Sequence, residues 1–230
     1  MKNLNCKILA IVIVLCLCVN YAKASSTELE DYSYIDLSSS IIKTANGLYW
    51  GTNSISYYCD EFSTNEIAAI SNAFSTWSNV SYTTTSGYTT YSVSFSFTRV
   101  FSASNADIVI EKGILPSGAV AISDIRDYYG RSSLNGTAVG EIEEATIILS
   151  SSLNYSIGPV NNKYDIQSVV VHEIGHVLGI AHCHEDGGSC SYTCSSNVMN
   201  PTIPAGATRR TWQEFDKASL IVIYIFNHPF

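Results

Sequence analysis

The spacing of apolar and polar residues predicts strands and one helix before residue 150 and further helices after it. Alternating patterns and short apolar runs indicate strands over residues 50–59, 92–98, 106–111, 119–123 and 145–149. A capping box at Ser63 and Glu66 opens a helical pattern that continues to Trp77. A second helical pattern begins at Asp165, and a third covers residues 212–226. Strands and helices without strict β-α-β alternation predict an α+β fold.

The first 24 residues have the pattern of a secretory signal peptide. Lys2 and Lys7 precede an apolar run from Ile8 to Val19, and Ala22 and Ala24 suit a cleavage site. The run is shorter than the ~20 residues that span a bilayer, so an uncleaved anchor is the weaker alternative. A lipid-anchored Cys18 is a further alternative. We therefore expect a secreted, extracellular protein without stable membrane insertion.

Composition narrows the classes of function. With 230 residues, 46% of them hydrophobic, the chain suits one globular domain and is not disordered throughout. The formal net charge is −8, and no cluster of Lys and Arg stands out along the chain. Nucleic acid is not an expected partner, because phosphate binding needs clustered positive charge.

Cleavage of the leader also changes the cysteine count. Three of the 7 cysteines lie before residue 25, which leaves Cys59, Cys183, Cys190 and Cys194. In an oxidising compartment an even number of cysteines predicts two disulfides. We expect Cys59 to pair with one of the other three.

The segment from His172 to His182 carries the candidate chemistry. His172 and His176 are four residues apart on a predicted helix, so both imidazoles project from one face and can bind one Zn²⁺. Gly179 would permit a left-handed turn that ends this helix and returns His182 to the metal. Three histidines leave a fourth coordination position for water, which is the arrangement of a catalytic zinc site.

Glu173 follows the first of these histidines and is not itself expected to bind the metal. Zinc lowers the pKa of a bound water, and a nearby carboxylate can accept its proton. We predict Glu173 as the general base, so the reaction is peptide-bond hydrolysis by a zinc-activated water. Two alternatives are a catalytically silent binding protein and a metal-stabilised structural or adhesion module.

This zinc motif, with Met199 downstream in the segment 196–201, resembles that of the metzincin metallopeptidases. Within that group the chain is most similar to the matrixins, the family of matrix metalloproteinase catalytic domains. Trp50, the helix end 73–77, the strand 106–108 and Pro201 support that resemblance. It implies a zincin fold with a twisted, mainly parallel five-stranded sheet, two long helices and a small C-terminal subdomain ending in a helix.

The resemblance also implies roles for particular residues. Met199 would pack beneath the histidines without binding zinc. Pro201, Thr202 and Ile203 would line the pocket for the side chain after the scissile bond. Extended protein or peptide substrates would add to an edge strand, for which residues 119–123 are the candidate.

The resemblance covers the catalytic domain, which we place at residues 48–230 of a monomeric zinc endopeptidase. Residues 25–47 form a short polar lead-in and are a candidate propeptide. Asp31 and Asp36 are candidates to cover the metal, with solvated tail residues as the alternative.

The chain departs from the matrixin pattern in its metal-binding residues. Only His184 and His228 remain for a second, structural zinc, so one catalytic zinc is expected. No Asp-rich, Gly-punctuated loop typical of a calcium site is evident, and the sequence does not decide whether calcium is bound. Cys183 directly follows the third histidine, where archaemetzincins use cysteines to bind a structural zinc. Zinc binding by cysteines is therefore the alternative to two disulfides.

Overall fold

The computed structural model describes residues 33–36, 41–43, 48–83, 89–127, 132–134, 137–183 and 196–227. The helices are α1 (Thr64–Trp77), α2 (Ile166–Val177) and α3 (Glu214–Ile221), and a π-helical turn (Val222–Asn227) continues α3. A 3₁₀ turn covers Ala103–Asn105. The strands are β1 (Ser33–Asp36), β2 (Ile41–Lys43), β3 (Leu48–Tyr49), β4 (Ser54–Tyr58), β5 (Asn79–Thr83), β6 (Thr90–Ser94), β7 (Ser96–Arg99), β8 (Ile108–Gly113), β9 (Ala121–Asp127), β10 (Ser132–Leu134), β11 (Thr137–Ser150), β12 (Tyr155–Ser156) and β13 (Tyr164–Asp165).

The central sheet has the strand order β7-β4-β8-β11-β9. Strand β4 is parallel to β7 and β8, and β8 is parallel to β11, while β9 runs antiparallel to β11. These strands confirm the prediction of a mainly parallel sheet in an α+β fold, and with β3 and β10 the described sheet has seven strands instead of the predicted five. The first half of the long strand β11 extends the sheet by pairing with β3 and β10.

Helices α1 and α2 pack against each other and enclose the main core with the sheet. Ser63 caps α1, because its hydroxyl accepts from the Glu66 N–H while the Glu66 carboxylate accepts from the Ser63 N–H at 2.8 Å. The buried face of α1 includes Ile70, Phe74 and Trp77. Each such side chain contributes roughly 1.5–3 kcal/mol through burial.

The predicted strand over residues 92–98 is divided between two sheets. Strand β6 pairs with β5 in a separate antiparallel hairpin, whereas β7 joins the central sheet beside β4. The break is at Phe95, whose N–H donates to the Ser78 carbonyl at 2.8 Å instead of to a strand partner. Phe95 is buried against Phe97 and Tyr224, so the alternation of apolar residues continues through the break.

The remaining elements match the predictions in part. Strand β9 begins two residues later than predicted, at Ala121, and pairs with β11 alone among the described strands, which makes it an edge strand. The polar lead-in contains the antiparallel pair β1 and β2. Asp31 lies outside the described residues and Asp36 ends β1, so their role over the metal stays a prediction. Within the described ranges, no helix has the length and apolar character needed to cross a membrane.

Candidate functional site

Helix α2 places His172 and His176 one turn apart and then ends abruptly. Gly179 has φ +92°, and a Cβ there would overlap the Leu48 carbonyl oxygen, so the left-handed turn predicted for this glycine is confirmed. The Ile180 N–H donates to the Gly175 carbonyl at 2.9 Å and the Gly179 N–H to the His176 carbonyl at 2.8 Å. These two bonds form a Schellman motif, and the chain turns back so that His182 meets the other histidines.

The three histidines converge on one point through their Nε2 atoms. The separations are 3.1 Å from His176 to His172, 3.0 Å from His176 to His182 and 3.2 Å from His172 to His182. All three side chains are buried. Among the described residues they are the one group of His, Cys, Asp and Glu side chains positioned to hold a metal ion together.

Hydrogen bonds to backbone carbonyls fix the tautomers of two of these rings. His172 Nδ1 lies 2.7 Å from the Val198 carbonyl oxygen, and His176 Nδ1 lies 2.8 Å from that of Ile180. A carbonyl oxygen only accepts, so each Nδ1 carries the hydrogen and each Nε2 presents a lone pair. Two lone pairs that face each other at 3.1 Å repel. A cation between them removes this repulsion, so the donor set fits Zn²⁺.

The protonation state of the rings also suits a metal. Burial, and after it the neighbouring His182, lowers the pKa of His172 to about 3. Burial followed by the other two histidines holds the pKa of His176 well below its ordinary value. Both rings are therefore neutral near pH 7, which is the form that binds zinc.

A turn around Met199 supports the histidines from below. Met199 is fully buried, and a Cβ on Gly175, between the two histidines of α2, would overlap its sulfur. The Met199 carbonyl accepts from the Cys183 N–H at 3.1 Å, directly after His182. The predicted role of Met199, beneath the histidines of a bound zinc, stays a prediction.

The Met199 turn is itself held by a buried carboxylate that the sequence did not single out. Asp216, in the first turn of α3, accepts from the Val198 and Met199 N–H groups at 3.1 Å each. It also accepts from the Gln213 N–H at 2.7 Å. Burial raises the pKa of Asp216, and these three hydrogen bonds oppose the rise. No sequence signal indicated this role, because Gln213 and Asp216 do not match the Ser/Thr-x-x-Glu/Gln pattern of a capping box.

Glu173 lies on α2 beside His172 and is completely buried. Its carboxylate Oε2 accepts a hydrogen bond of 2.7 Å from the hydroxyl of Ser123 on the edge strand β9. The Ser123 hydroxyl also lies 3.2 Å from the Glu173 carbonyl oxygen. The sequence alone does not indicate this role of Ser123, because no local pattern connects it with a residue fifty positions away.

A narrow cavity adjoins His172, between α2 and the segment after Met199. Its volume is about 10 Å³, roughly the space of one water molecule. Of the predicted pocket residues, Ile203 lines this cavity, whereas Pro201 and Thr202 are not among its lining residues. Arg209 lines it too: its N–H donates to the Ser168 hydroxyl at 2.7 Å, and its guanidinium donates to the Thr202 carbonyl.

Cys59 departs from the disulfide prediction. Cys59 follows β4, is completely buried in the core and has a free thiol, so it does not form the predicted disulfide in this structure. Burial raises the pKa of that thiol. Cys183 is buried as well, while Cys190 and Cys194 lie outside the described residues. Pairing or zinc binding among these three cysteines stays a prediction.

Comparison with known proteins identifies the family of the chain. The family model described as matrixin matches residues 49–204, which is more than half of the chain. No curated protein matches the chain. Among solved structures, the chain is similar to high choriolytic enzyme 1, a hatching-enzyme zinc protease from the medaka Oryzias latipes. The two are 16% identical, the similarity covers 76% of this chain and 93% of that chain, and the TM-score is 0.38.

Proposed function

The chain belongs to the matrixin family and is a zinc metalloendopeptidase, and from this premise we propose that it is secreted and cuts extended protein substrates with Glu173 as the general base. The observation that carries the proposal is the convergence of three Nε2 atoms within 3.2 Å, beside a buried carboxylate. Zinc, when bound by His172, His176 and His182, supplies a Lewis acid that activates water and polarises a carbonyl.

The protein's own groups divide the remaining work. The Val198 and Ile180 carbonyls hold the His172 and His176 rings with their lone pairs directed at the common point. Glu173 accepts the proton of the attacking water and delivers it to the leaving amine. Its burial keeps bulk water away from that proton transfer, which strengthens the electrostatic effect of its charge.

The edge strand β9 is the proposed platform for substrate. One side of this strand pairs with β11, and the other side offers backbone donors and acceptors to an extended peptide. The cavity beside His172 is the proposed site for the side chain that follows the scissile bond. Its small volume favours short side chains at that position.

A leader over residues 1–24 supports secretion, and residues 25–47 are the proposed propeptide. We also propose that the enzyme acts as a monomer with one catalytic zinc. The buried thiol of Cys59 is compatible with an extracellular protein, because a thiol in the core is shielded from oxidants.

The test compares casein cleavage by the zinc-loaded protein with cleavage by Glu173→Gln, each with and without a chelator. We expect the wild type to cut casein, Glu173→Gln to cut it at only a small residual rate, and the chelator to abolish the wild-type activity. Glu61→Gln is the matched control, because Glu61 is exposed in the turn before α1 and should retain full activity. A wild-type protein that holds one zinc and cuts neither casein nor peptides would refute the proposed function.

A further inference from the structure

Ser123 is a polar residue on the buried face of the edge strand β9. Its neighbours on that face, Ala121 and Ile125, are apolar and buried, whereas Asp124 and Arg126 point to solvent. A hydroxyl buried among apolar groups costs free energy unless it forms a hydrogen bond. Ala121 is buried on the same face without a polar side-chain group.

The hydrogen bond of Ser123 is made with Glu173. The oxygen-to-oxygen distance of 2.7 Å to Glu173 Oε2 suits a bond from a hydroxyl to a carboxylate. Both side chains are completely buried, so water does not weaken the bond. Strand β9 is fixed against β11 by its backbone ladder, with Ser123 opposite Ile147. The bond therefore ties a side chain with three rotatable torsions to a rigid sheet.

We propose that Ser123 is a positioning residue that holds the Glu173 carboxylate in its catalytic orientation. This inference rests on the proposed function, in which Glu173 is the general base. It has a structural consequence: the strand that aligns the substrate backbone also aligns the base. Correct placement of the peptide and of the proton acceptor then depends on the same element.

The kinetic test uses zinc-loaded protein and two matched pairs of residues. Ser123→Ala differs from the wild type by loss of the hydroxyl. Ser123→Val differs from Ser123→Thr, whose side chain has nearly the same size, in the same way. We expect Ala and Val to lower kcat roughly ten- to a hundredfold with KM changed by less than about twofold, the scale of a lost hydrogen bond to a charged group. Ser123→Thr should retain kcat within about threefold of wild type.

Two outcomes of the kinetics would overturn the proposal. One is equal kcat for the Thr and Val variants. The other is an effect of Ser123→Ala on KM alone, since that would place Ser123 in substrate binding. If Ser123→Ala does not fold, the Thr and Val pair still decides the question. In a Glu173→Gln background, removal of the hydroxyl should cause no further loss of the residual rate.

Crystal structures provide a readout that does not need activity. We expect the Glu173 carboxylate to rotate or to occupy several orientations in zinc-loaded Ser123→Ala, with the three histidines unmoved. An unchanged carboxylate would refute the positioning role. If the wild type cuts no peptide, the proposed function fails on its own, and the carboxylate position still tests the contact with Ser123.

Discussion

Backbone carbonyls orient two of the histidines proposed to bind zinc, and they come from different parts of the chain. Ile180 lies just past the end of α2, whereas Val198 is 26 residues from its partner His172. The first contact follows from the Schellman turn and is local. The second depends on how the Met199 turn docks beneath the helix. The packing of that turn beneath the helix therefore helps to set the orientation of the His172 ring.

Gly175 leaves the space that the Met199 sulfur occupies, so Gly175→Ala should destabilise the protein. Alanine favours a helix over glycine by about 1 kcal/mol, but here its Cβ would overlap the sulfur. We expect overpacking to lower the free energy of unfolding by about 2 kcal/mol. Urea denaturation of metal-free protein measures this change apart from zinc binding.

The control is the same substitution in a Met199→Ala background. Met199→Ala alone should cost roughly 2–5 kcal/mol because it leaves a cavity. Adding Gly175→Ala there should then cost much less than it does in the wild type. Equal costs in both backgrounds would contradict contact between these two residues.

At the residue scale, sequence could predict what local spacing encodes. His172, His176, Glu173 and Gly179 lie within one helix and its end, so their arrangement follows from helical geometry. Ser123 and Asp216 could not be predicted, because their contacts join elements far apart in the chain. A buried Ser or Asp carries no periodic signal that identifies its partner.

At the scale of elements, the start of α3 and the Met199 turn form one unit through Asp216. In Asp216→Asn, an NH₂ group would replace the oxygen that accepts from Val198 or Met199, and a buried N–H would lose its acceptor. We expect the free energy of unfolding to fall by about 3 kcal/mol and zinc affinity by roughly tenfold or more. Denaturation and zinc competition with a chelator dye measure the two effects.

Glu214→Gln is the matched control for that substitution. Glu214 lies in the same turn of α3, but its carboxylate is largely exposed and pairs with Lys217. Glu214→Gln should lower the free energy of unfolding by less than about 0.5 kcal/mol and leave zinc affinity unchanged. Equal effects of the two substitutions would show that Asp216 acts only through the charge at the helix start.

Arg209 connects α2 to the segment that follows Met199 and so bounds the cavity beside His172. Its backbone is anchored to Ser168 and its guanidinium to the Thr202 carbonyl. Arg209→Ala should widen the cavity, raising kcat/KM about tenfold for peptides with leucine after the scissile bond. Peptides with alanine there should change little. The ratio of the two kcat/KM values is the measurement, and an unchanged ratio would place that side chain elsewhere.

The division at Phe95 shows why some elements could not be predicted at their true bounds. The alternation of apolar residues over 92–98 is continuous, and periodicity alone cannot distinguish one strand from two. What separates β6 from β7 is the hydrogen bond from the Phe95 N–H to Ser78, at the end of α1. That contact exists only once α1 and the hairpin have packed together.

At the scale of the whole molecule, two tryptophans and one ion pair hold α2 in place. The indole N–H groups of Trp50 and Trp77 donate to the Val177 and Val171 carbonyls, each at 2.9 Å. Asp165, which caps the start of α2, forms two hydrogen bonds with Arg210 at 2.6 and 2.8 Å. Its Oδ1 also accepts from the Gly158 N–H at 2.7 Å, so one carboxylate joins three segments.

The Asp165 contacts predict that stability falls in acid. Burial alone would raise the pKa of Asp165, but hydrogen bonds from Arg210, Ser168 and Gly158 outweigh it, and the pKa is lowered below 3.8. A lowered pKa in the folded state means that the stabilisation is complete above the ordinary pKa and is lost as pH falls through the folded value. Asp165→Asn should therefore lower the free energy of unfolding by about 3 kcal/mol at pH 7 and by much less at pH 2.

Urea denaturation at both pH values, on metal-free protein, measures this difference without a contribution from zinc release. Glu144→Gln serves as the control, because Glu144 forms an exposed ion pair with Arg126 at 2.7 Å. That substitution should change stability by less than about 0.5 kcal/mol at either pH. A cost of Asp165→Asn that is the same at pH 7 and pH 2 would show that the carboxylate is not held ionised by Arg210. Helix α2, and the histidines it carries, would then be anchored mainly by the core and the two tryptophans.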